Sequence, residues 1–335
     1  MPTIRDVAKA AGVSHTTVSL VMNNDPRVSA PTRAKVNAII KALDFVPDAT
    51  ARKLASGRTG VVAAVIPELG SAFAMQALRG IEAGLVGSGM DLQIHSGQDI
   101  HPEGSLKSRR TVIADRIFAS RKADAVILVT GHTGEAVRRE GAAAKIPLIA
   151  LEEADACDHA VVFDNEAAGR IGIEHLLSLG RKRLAVVIGD SRHMVTQIDR
   201  LRGIQAAYAA QGLKLAELDI YHVYQHHMEE GRALWDKIWA VRPAYDAIFC
   251  AAGDMVAMGL MAGADVHGVR MPEDIALVGL DDQEASAAVG LSSIEQPMRA
   301  MGRRASELAL DSMAGKLKAP VRELFQPRLI LRRTA

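Results

Sequence analysis

TIRDVAKAAGVSHTTVSLVMN, residues 3–23, contains two short helical patterns on either side of a three-residue break. Thr3 followed by Asp6 has the form of a capping box, Ile4, Val7, Ala8 and Ala11 share one face, and Gly12 supplies the stop. Ser14 caps a second helix, His15 to about Met22, which turns Val18 and Val21 inward and leaves His15, Thr16, Ser19 and Leu20 outside. Ser29 caps a third, with Pro31 in its first turn and Val36, Ile39, Ile40 and Leu43 at helical spacing. Two helices joined by Ala11-Gly12-Val13, with a third behind them, make a helix-turn-helix unit.

Around this unit the charge is uneven. Residues 1–60 hold nine basic side chains against four acidic ones, so of a net +1 for the 335 residues the remainder carries −4. A basic head on a mildly acidic body is the footprint of a segment that faces phosphates; a solvated lysine-rich surface is the competing reading. The outer face of the second helix is short, polar and uncharged, which suits base edges in a DNA major groove.

From Val61 onward the pattern changes. The runs VVAAVIP (61–67), DLQIHSG (91–97), ADAVILVT (123–130), PLIALEE (147–153), AVVFD (160–164), RLAVVIGD (183–190), AIFCAAG (247–253) and IALVGLDD (275–282) alternate with helical segments. They lack polar alternation, so both faces of each strand are expected to be buried, as in parallel sheets covered by helices. That length of α/β chain predicts two lobes with a cleft between them. SSIEQ (292–296) and RELFQPRLILR (322–332) are expected to return to the first lobe as strands. The expected division is a helix-turn-helix domain over 1–46, a hinge helix and linker over 47–59, and a two-lobed body over 60–335. Its N-lobe comprises about 60–162 and 292–325, its C-lobe about 163–291 and 326–335. Within 47–60, residues 49–55 favour helix but span only about two turns, and helices below ~12 residues are marginal alone. This segment is expected to wind up only against a partner.

Hydrophobic residues at 49% and charged residues at 24% describe a globular chain and exclude a disordered or collagen-like one. Cys157 and Cys250 form no CxxC pair, which excludes a disulfide scaffold and a zinc ribbon and suggests a reducing compartment. Arg5, Asp6 and Lys9 interrupt any secretory leader, and no stretch reaches the ~18 apolar residues that span a bilayer. A cytoplasmic location without membrane partners is the expectation.

The runs TIRDVAKAAGVSHTTVSLVMN, VSAPTRAKV and LDFVPDATARKL resemble the head and hinge of the LacI/GalR family of bacterial transcription regulators. LRGIEAGL (78–85), EHLLSLGRKRLAVVIGD (174–190), DRLRGIQAAY (199–208), GDMVAMGLM (253–261) and IALVGLDD resemble that family's periplasmic-binding-protein-like effector domain. The resemblance implies that Ser14, His15, Thr16, Thr17, Ser19 and Leu20 lie at the major groove, with His15 and Thr16 the chief base readers. Thr3, Thr17, Ser19, Asn23, Ser29 and Thr32 match positions that contact phosphates or flank the groove. Ala51 and Leu54 match the hinge positions in the minor groove, where a leucine wedges between base steps. Many relatives carry Arg or Lys in place of Leu20, whose contact to guanine is worth about 1–3 kcal/mol of discrimination, so a different base is expected there, with a thymine methyl as one candidate. Asp48 stands where relatives commonly have Asn.

For the effector cleft the resemblance implies Ser71, Phe73, Thr130, Glu152, Phe163, Arg200 and Asp281. Two acids, one Arg and an aromatic face suit a polyhydroxylated ligand, since carboxylates accept from hydroxyls, Arg donates and a ring covers C–H groups. Gly253-Asp254 replaces the family's usual Asn-Asp, which removes a ligand-binding amide. Arg200 has a competing reading as a surface partner of Asp199 or Asp190, and Phe73 and Phe163 as core residues. His222, His226 and His227 lack convincing metal spacing and read as a loop near the cleft mouth, with His226 beside the ligand.

No GxSxG, P-loop or dinucleotide loop is present, so neither an enzyme nor a resident cofactor or metal is expected. A sugar-binding or sugar-processing α/β protein without a DNA role would explain the body but not residues 1–58. The expectation is a homodimeric repressor on a pseudo-palindromic operator, controlled by a carbohydrate-like small molecule bound between the lobes.

Overall fold

The computed structural model describes residues 2–22, 25–45, 58–97, 109–129, 134–152, 157–190, 194–241 and 244–335. It forms two compact units, Met1–Gly60 and Val61–Ala335.

In the first unit, α1 (Ile4–Ala11), α2 (His15–Met22) and α3 (Ala30–Ala42) follow from local chemistry. Thr3 and Asp6 complete a reciprocal capping box, the Thr3 N–H donating to Asp6 Oδ2 at 2.8 Å. Gly12 takes the left-handed conformation (φ 63°) that ends α1, at little cost without a β-carbon. The Ser14 hydroxyl accepts from the Thr17 N–H at 3.1 Å, and Ser29 caps α3. Val7, Ala8, Ala11, Val18, Val21 and Val36 form the buried core. Arg33 reinforces it by donating to the carbonyls of Asp25 (2.6 Å) and Val21 (3.4 Å), which ties α3 to the end of α2.

The second unit runs β1 (Val61–Ile66), α4 (Ala72–Leu85), β2 (Asp91–Ser96), α5 (Arg109–Ser120), β3 (Ala125–Val129), α6 (Gly134–Ala144), β4 (Leu148–Glu152) and β5 (His159–Phe163). It continues through α7 (Asn165–Ser178), β6 (Leu184–Ile188), α8 (Val195–Ala210), β7 (Ile220–His222), α9 (Met228–Trp239), β8 (Ala247–Cys250), α10 (Asp254–Val266) and β9 (Ala276–Asp281). It closes with α11 (Glu284–Val289), β10 (Ser292–Glu295), α12 (Met298–Met313), β11 (Val321–Phe325) and β12 (Arg328–Ile330). The strands form two six-stranded sheets, β11-β5-β4-β3-β1-β2 and β12-β10-β9-β8-β6-β7. All pairings are parallel except β10 with β12.

Two expectations are corrected. Residues 292–295 do not return to the first lobe: β10 lies between β9 and β12 in the second sheet, and of residues 322–332 only β11 joins the first sheet, β12 pairing with β10 in the second. The reason is polar satisfaction, because buried Ser293 donates to Asp254 Oδ1 (2.7 Å) and Ser292 to the Ala335 carbonyl (3.1 Å), both in the second lobe. The chain recrosses only after Gln296, and α12 packs on α4 and on β3, β4 and β5. Nor is β2 buried on both faces; it is the edge strand beside β1, and its side chains are largely exposed.

Three helix pairs cross through glycines. A β-carbon on Gly80 or Gly302 would strike the backbone of Arg299 or Ala77 where α4 meets α12. Gly169 and Gly203 stand in the same relation to Arg200 and Glu166 where α7 meets α8, and Gly231 and Gly259 to Val256 and Met228 where α9 meets α10. Backbones this close leave no room for a methyl group. Gly302→Ala should therefore lower the thermal unfolding midpoint, at a cost of about 1–3 kcal/mol from overpacking. An unchanged midpoint in differential scanning fluorimetry would show that α4 and α12 can separate freely.

Candidate DNA-reading face and interlobe cleft

On α2 the sequence HTTVSLVM carries no acidic or basic side chain apart from its histidine. Val18 and Val21 are buried, His15 and Thr16 are exposed, and Thr17, Ser19 and Leu20 are half-buried. The first turn is held by Ser14 and Thr17, whose hydroxyls lie 2.9 Å apart, and Ser29 and Thr32 repeat that arrangement at 2.9 Å on α3. Thr3, Ser14 and Ser29 thus cap helices while remaining exposed. Asn23, Ala51 and Leu54 lie outside the described residues.

In the second unit the expected cleft residues divide. Glu152, at the end of β4, and Arg200, on α8, are buried and come from opposite lobes. The Arg200 guanidinium donates from Nε to Asn165 Oδ1 (2.7 Å), from one Nη to the Ala251 carbonyl (2.8 Å) and from the other to Gln296 Oε1 (3.2 Å). Gln296 donates in turn to Glu152 Oε1 (3.0 Å), which lies 3.7 Å from the guanidinium. Neither Asp199 nor Asp190 is among these partners; Asp199 pairs with Arg202 instead (2.7 Å). The crossing strand ends are thereby tied by one side-chain network.

Asp281 is half-buried and accepts from the Gln283 amide at 3.2 Å. It lines a cavity of about 260 Å³ with Phe73, Gln76, Gln296 and Met298. Ser71 caps α4, its hydroxyl accepting from the Ala74 N–H at 3.2 Å, and so sets the helix that presents Phe73. Phe163 is buried in the core at the end of β5. Thr130 lies outside the described residues.

Three participants escaped sequence reasoning: Asn165, Gln296 and Asp254. Asp254 is fully buried and accepts from Ser286 Oγ (2.5 Å), Ser293 Oγ (2.7 Å) and the Gln283 N–H (3.0 Å). It anchors the turn in which Asp281 and Asp282 both hold positive φ. The signal available in the sequence was that a polar residue at a strand–helix junction of an α/β lobe tends to face the cleft. His226 also faces inward, its Nδ1 2.8 Å from the Ala252 carbonyl, and loss of hydration lowers its pKa. Among the described residues no group of His, Cys, Asp and Glu side chains is arranged to hold a metal.

Burial raises the pKa of Glu152 against the pull of Arg200 and Gln296. Loss of hydration and the neighbouring Asp254 push Asp281 up to about 8, with Arg200 opposing. Asp254 rises to about 6, mainly through burial, and its three hydrogen bonds hold it down.

Known proteins share this architecture. Residues 3–48 match the model of bacterial regulatory proteins of the lacI family, and residues 173–335 match that of the periplasmic binding protein-like domain. The chain is 31% identical to the HTH-type transcriptional regulator DegA of Bacillus subtilis (strain 168), over 98% of this chain and 97% of that one. It superposes on a lac repressor dimer bound to operator and the anti-inducer ONPF with a TM-score of 0.84, at 25% identity, covering 99% of this chain and 98% of that one. Against a complex of the transcriptional regulator CelR with cellobiose the TM-score is 0.71, at 27% identity and full coverage of both chains. No helix among the described residues is long and apolar enough to cross a membrane.

A raised acid favours the protonated form in the folded state. Its contribution is complete below its unfolded pKa, near 3.8 for Asp281, and is lost as pH rises through the folded value of about 8. The ligand-free protein should accordingly lose thermal stability between about pH 5 and pH 8, and Asp281→Asn should flatten that decline. An unaltered slope in the mutant's melting curves would assign the raised proton elsewhere.

Proposed function

The chain belongs to the LacI family of bacterial regulatory proteins, and on that premise we propose how it works as a DNA-binding transcription regulator controlled by a small molecule. Two copies associate through their bodies and place two heads on the half-sites of a pseudo-palindromic operator. His15 and Thr16, the exposed residues of α2, read base edges, and half-buried Leu20 adds an apolar contact. Ser14 lies with them at the major groove, and Thr3, Thr17, Ser19, Asn23, Ser29 and Thr32 hold the backbone or flank the groove. Ala51 and Leu54 enter the minor groove from the segment 47–59. The effector occupies the space between the lobes, lined by Ser71, Phe73, Thr130, Glu152, Arg200 and Asp281.

The observation that carries this reading is the buried bridge from Arg200 through Gln296 to Glu152, which joins the two lobes at the strand ends. A ligand that competes for those groups alters how the lobes close, and lobe closure alters the spacing of the two heads. A coupling of about 1–3 kcal/mol changes operator affinity 5- to 150-fold. CelR forms a complex with cellobiose, and the polar residues and aromatic ring here favour a sugar or sugar derivative. We read the regulator as a repressor whose hold on DNA that ligand either releases or strengthens.

Two variants test the two ends of the molecule. His15→Ala should reduce binding to the selected operator by about 1–3 kcal/mol while leaving affinity for random duplex nearly unchanged; equal losses on both, measured by fluorescence anisotropy, contradict a base-reading role. Removing Arg200 outright would leave Glu152 buried without its partner, at a cost of about 3–5 kcal/mol, so Arg200→Lys is the cleaner change. It should keep operator binding and lose the response to sugars that a thermal-shift screen identifies on the parent protein. A parent-like response removes Arg200 from the site.

A further inference from the structure

Between β7 and α9 the chain turns through Tyr224, Gln225, His226 and His227, and one side chain holds this turn together. Glu230, in the first turn of α9, accepts from the backbone N–H groups of Tyr224 (2.8 Å), Gln225 (2.8 Å) and His226 (3.2 Å). Hydrogen bonds to a carboxylate are about twice as strong as those between neutral groups. Three of them converge on the point where His226 takes left-handed backbone, φ 55°. Residues with a β-carbon enter that region sparingly and stay there where their surroundings impose it. Val223 pins the start of the turn, its N–H donating to the Ile188 carbonyl at 3.0 Å.

The turn delivers the His226 ring to the carboxyl ends of β6 and β8, the side on which an α/β lobe faces its cleft. Its Cε1 stands 2.7 Å from where a β-carbon on Gly189 would lie, so the absence of a side chain there makes room for the ring. Nδ1 lies 2.8 Å from the Ala252 carbonyl, and the preceding carbonyl, Ala251, takes the Arg200 guanidinium. The ring thus stands beside the bridge that joins the lobes. A carbonyl can only accept, so the ring proton sits on Nδ1 and Nε2 is a bare acceptor, the tautomer that free histidine favours less. Nε2 has no partner among the described residues. Burial keeps the ring neutral, with Arg200 on α8 acting in the same sense and Glu230 on α9 and Glu68, after β1 in the other lobe, opposing it. His222 of β7 meets the same strand end, its Nδ1 3.3 Å from the Gly189 carbonyl.

We propose that His226 reads a hydroxyl donor of the effector through Nε2, and that Glu230, without touching the ligand, is the positioning residue that holds His226 in its acceptor tautomer. This rests on the reading of the interlobe cleft as the effector site. An imidazole whose proton is committed to a backbone carbonyl offers one lone pair in one fixed direction, which a sugar hydroxyl satisfies and a deoxy position does not. Without the Glu230 carboxylate the turn loses its three anchors, the ring leaves the Ala252 carbonyl, and the proton moves to Nε2, which then donates where it had accepted. The fold survives that loss, because Tyr224 and Gln225 are exposed and their N–H groups can turn to water. Glu230 therefore acts on which ligand is chosen and leaves the body standing.

Two measurements on the full chain test the pair. With 15N-labelled histidine at about pH 7.5, where the ring is neutral, two-bond 1H–15N correlation spectra report which ring nitrogen carries the proton, and the His226 signals are those lost in His226→Phe. The parent should show Nδ1 protonated and Nε2 bare, and Glu230→Ala should shift the ring toward the Nε2–H form. Isothermal titration calorimetry then uses D-glucose, D-galactose, D-ribose and cellobiose, each with its monodeoxy derivatives. At least one sugar should bind the parent, and removal of one of its hydroxyls should weaken binding about tenfold. In His226→Phe and in Glu230→Ala the same removal should change affinity less than about twofold, the non-additivity of two groups in contact. A parent ring protonated on Nε2, a tautomer indifferent to Glu230→Ala, deoxy discrimination kept in either variant, or no sugar bound at all overturns the proposal. A sugar that alters operator affinity with the same deoxy pattern in all three proteins leaves the regulatory function standing and removes the pair. Coupling to His226 without any change in operator affinity keeps the pair and removes the regulation.

Discussion

A guanidinium taken out of water must have its donors met, and the second unit is organised around meeting those of Arg200. Its acceptors come from three places: Asn165 at the start of α7, the carbonyl that follows β8, and Gln296 at the second crossing between the lobes. Glu152 completes the set from the far lobe. A charge buried in this way is stable only while every partner holds its place, so the network ties lobe position to local polar contacts. Any molecule that donates to Glu152 or accepts from Arg200 competes with the bridge. In the function we propose, that competition is how a small ligand acts on a large domain.

The helices that carry these groups are held by contacts of a different kind. Where α7 meets α8, the backbone of Arg200 lies against Gly169 and that of Glu166 against Gly203, with no side chain between. The guanidinium is therefore placed by backbone-to-backbone packing, which varies less than contacts through flexible side chains. Glycine crossings also join α9 to α10 and α4 to α12, the second pair carrying Phe73 on one of its helices. Close-packed helix pairs on either side of a polar seam suit the discrete arrangements that allosteric transmission requires.

The first unit works on a smaller scale. Its buried residues are four valines and two alanines, a thin core, so caps supply much of its definition. Thr3, Ser14 and Ser29 each begin a helix, and Arg33 ties the end of α2 to α3. The outward side chains of α2 are consequently set by the hydroxyls and carbonyls at its ends and are free of structural duty along its middle. A reading surface needs that separation, since its residues can change with the operator while the helix remains.

The helices of the head were legible residue by residue, because caps, a left-handed glycine and apolar spacing act within a few positions of one another. The α/β class of the body was equally legible, since doubly buried strands show as unbroken apolar runs. Glu152, Arg200 and Asp281 were singled out through motif likeness, and the structure places Glu152 and Arg200 in one buried network. Asn165, Gln296 and Asp254 were not found, because a polar residue among many reveals its role only through partners tens of residues away. The placement of β10 failed for the same reason: two serines in a short strand say nothing of which sheet can satisfy their hydroxyls. Local hydrogen bonds and periodicity are written in consecutive residues and can be read there. Which buried polar groups meet across lobes depends on the three crossings of the chain, and only the folded molecule decides it.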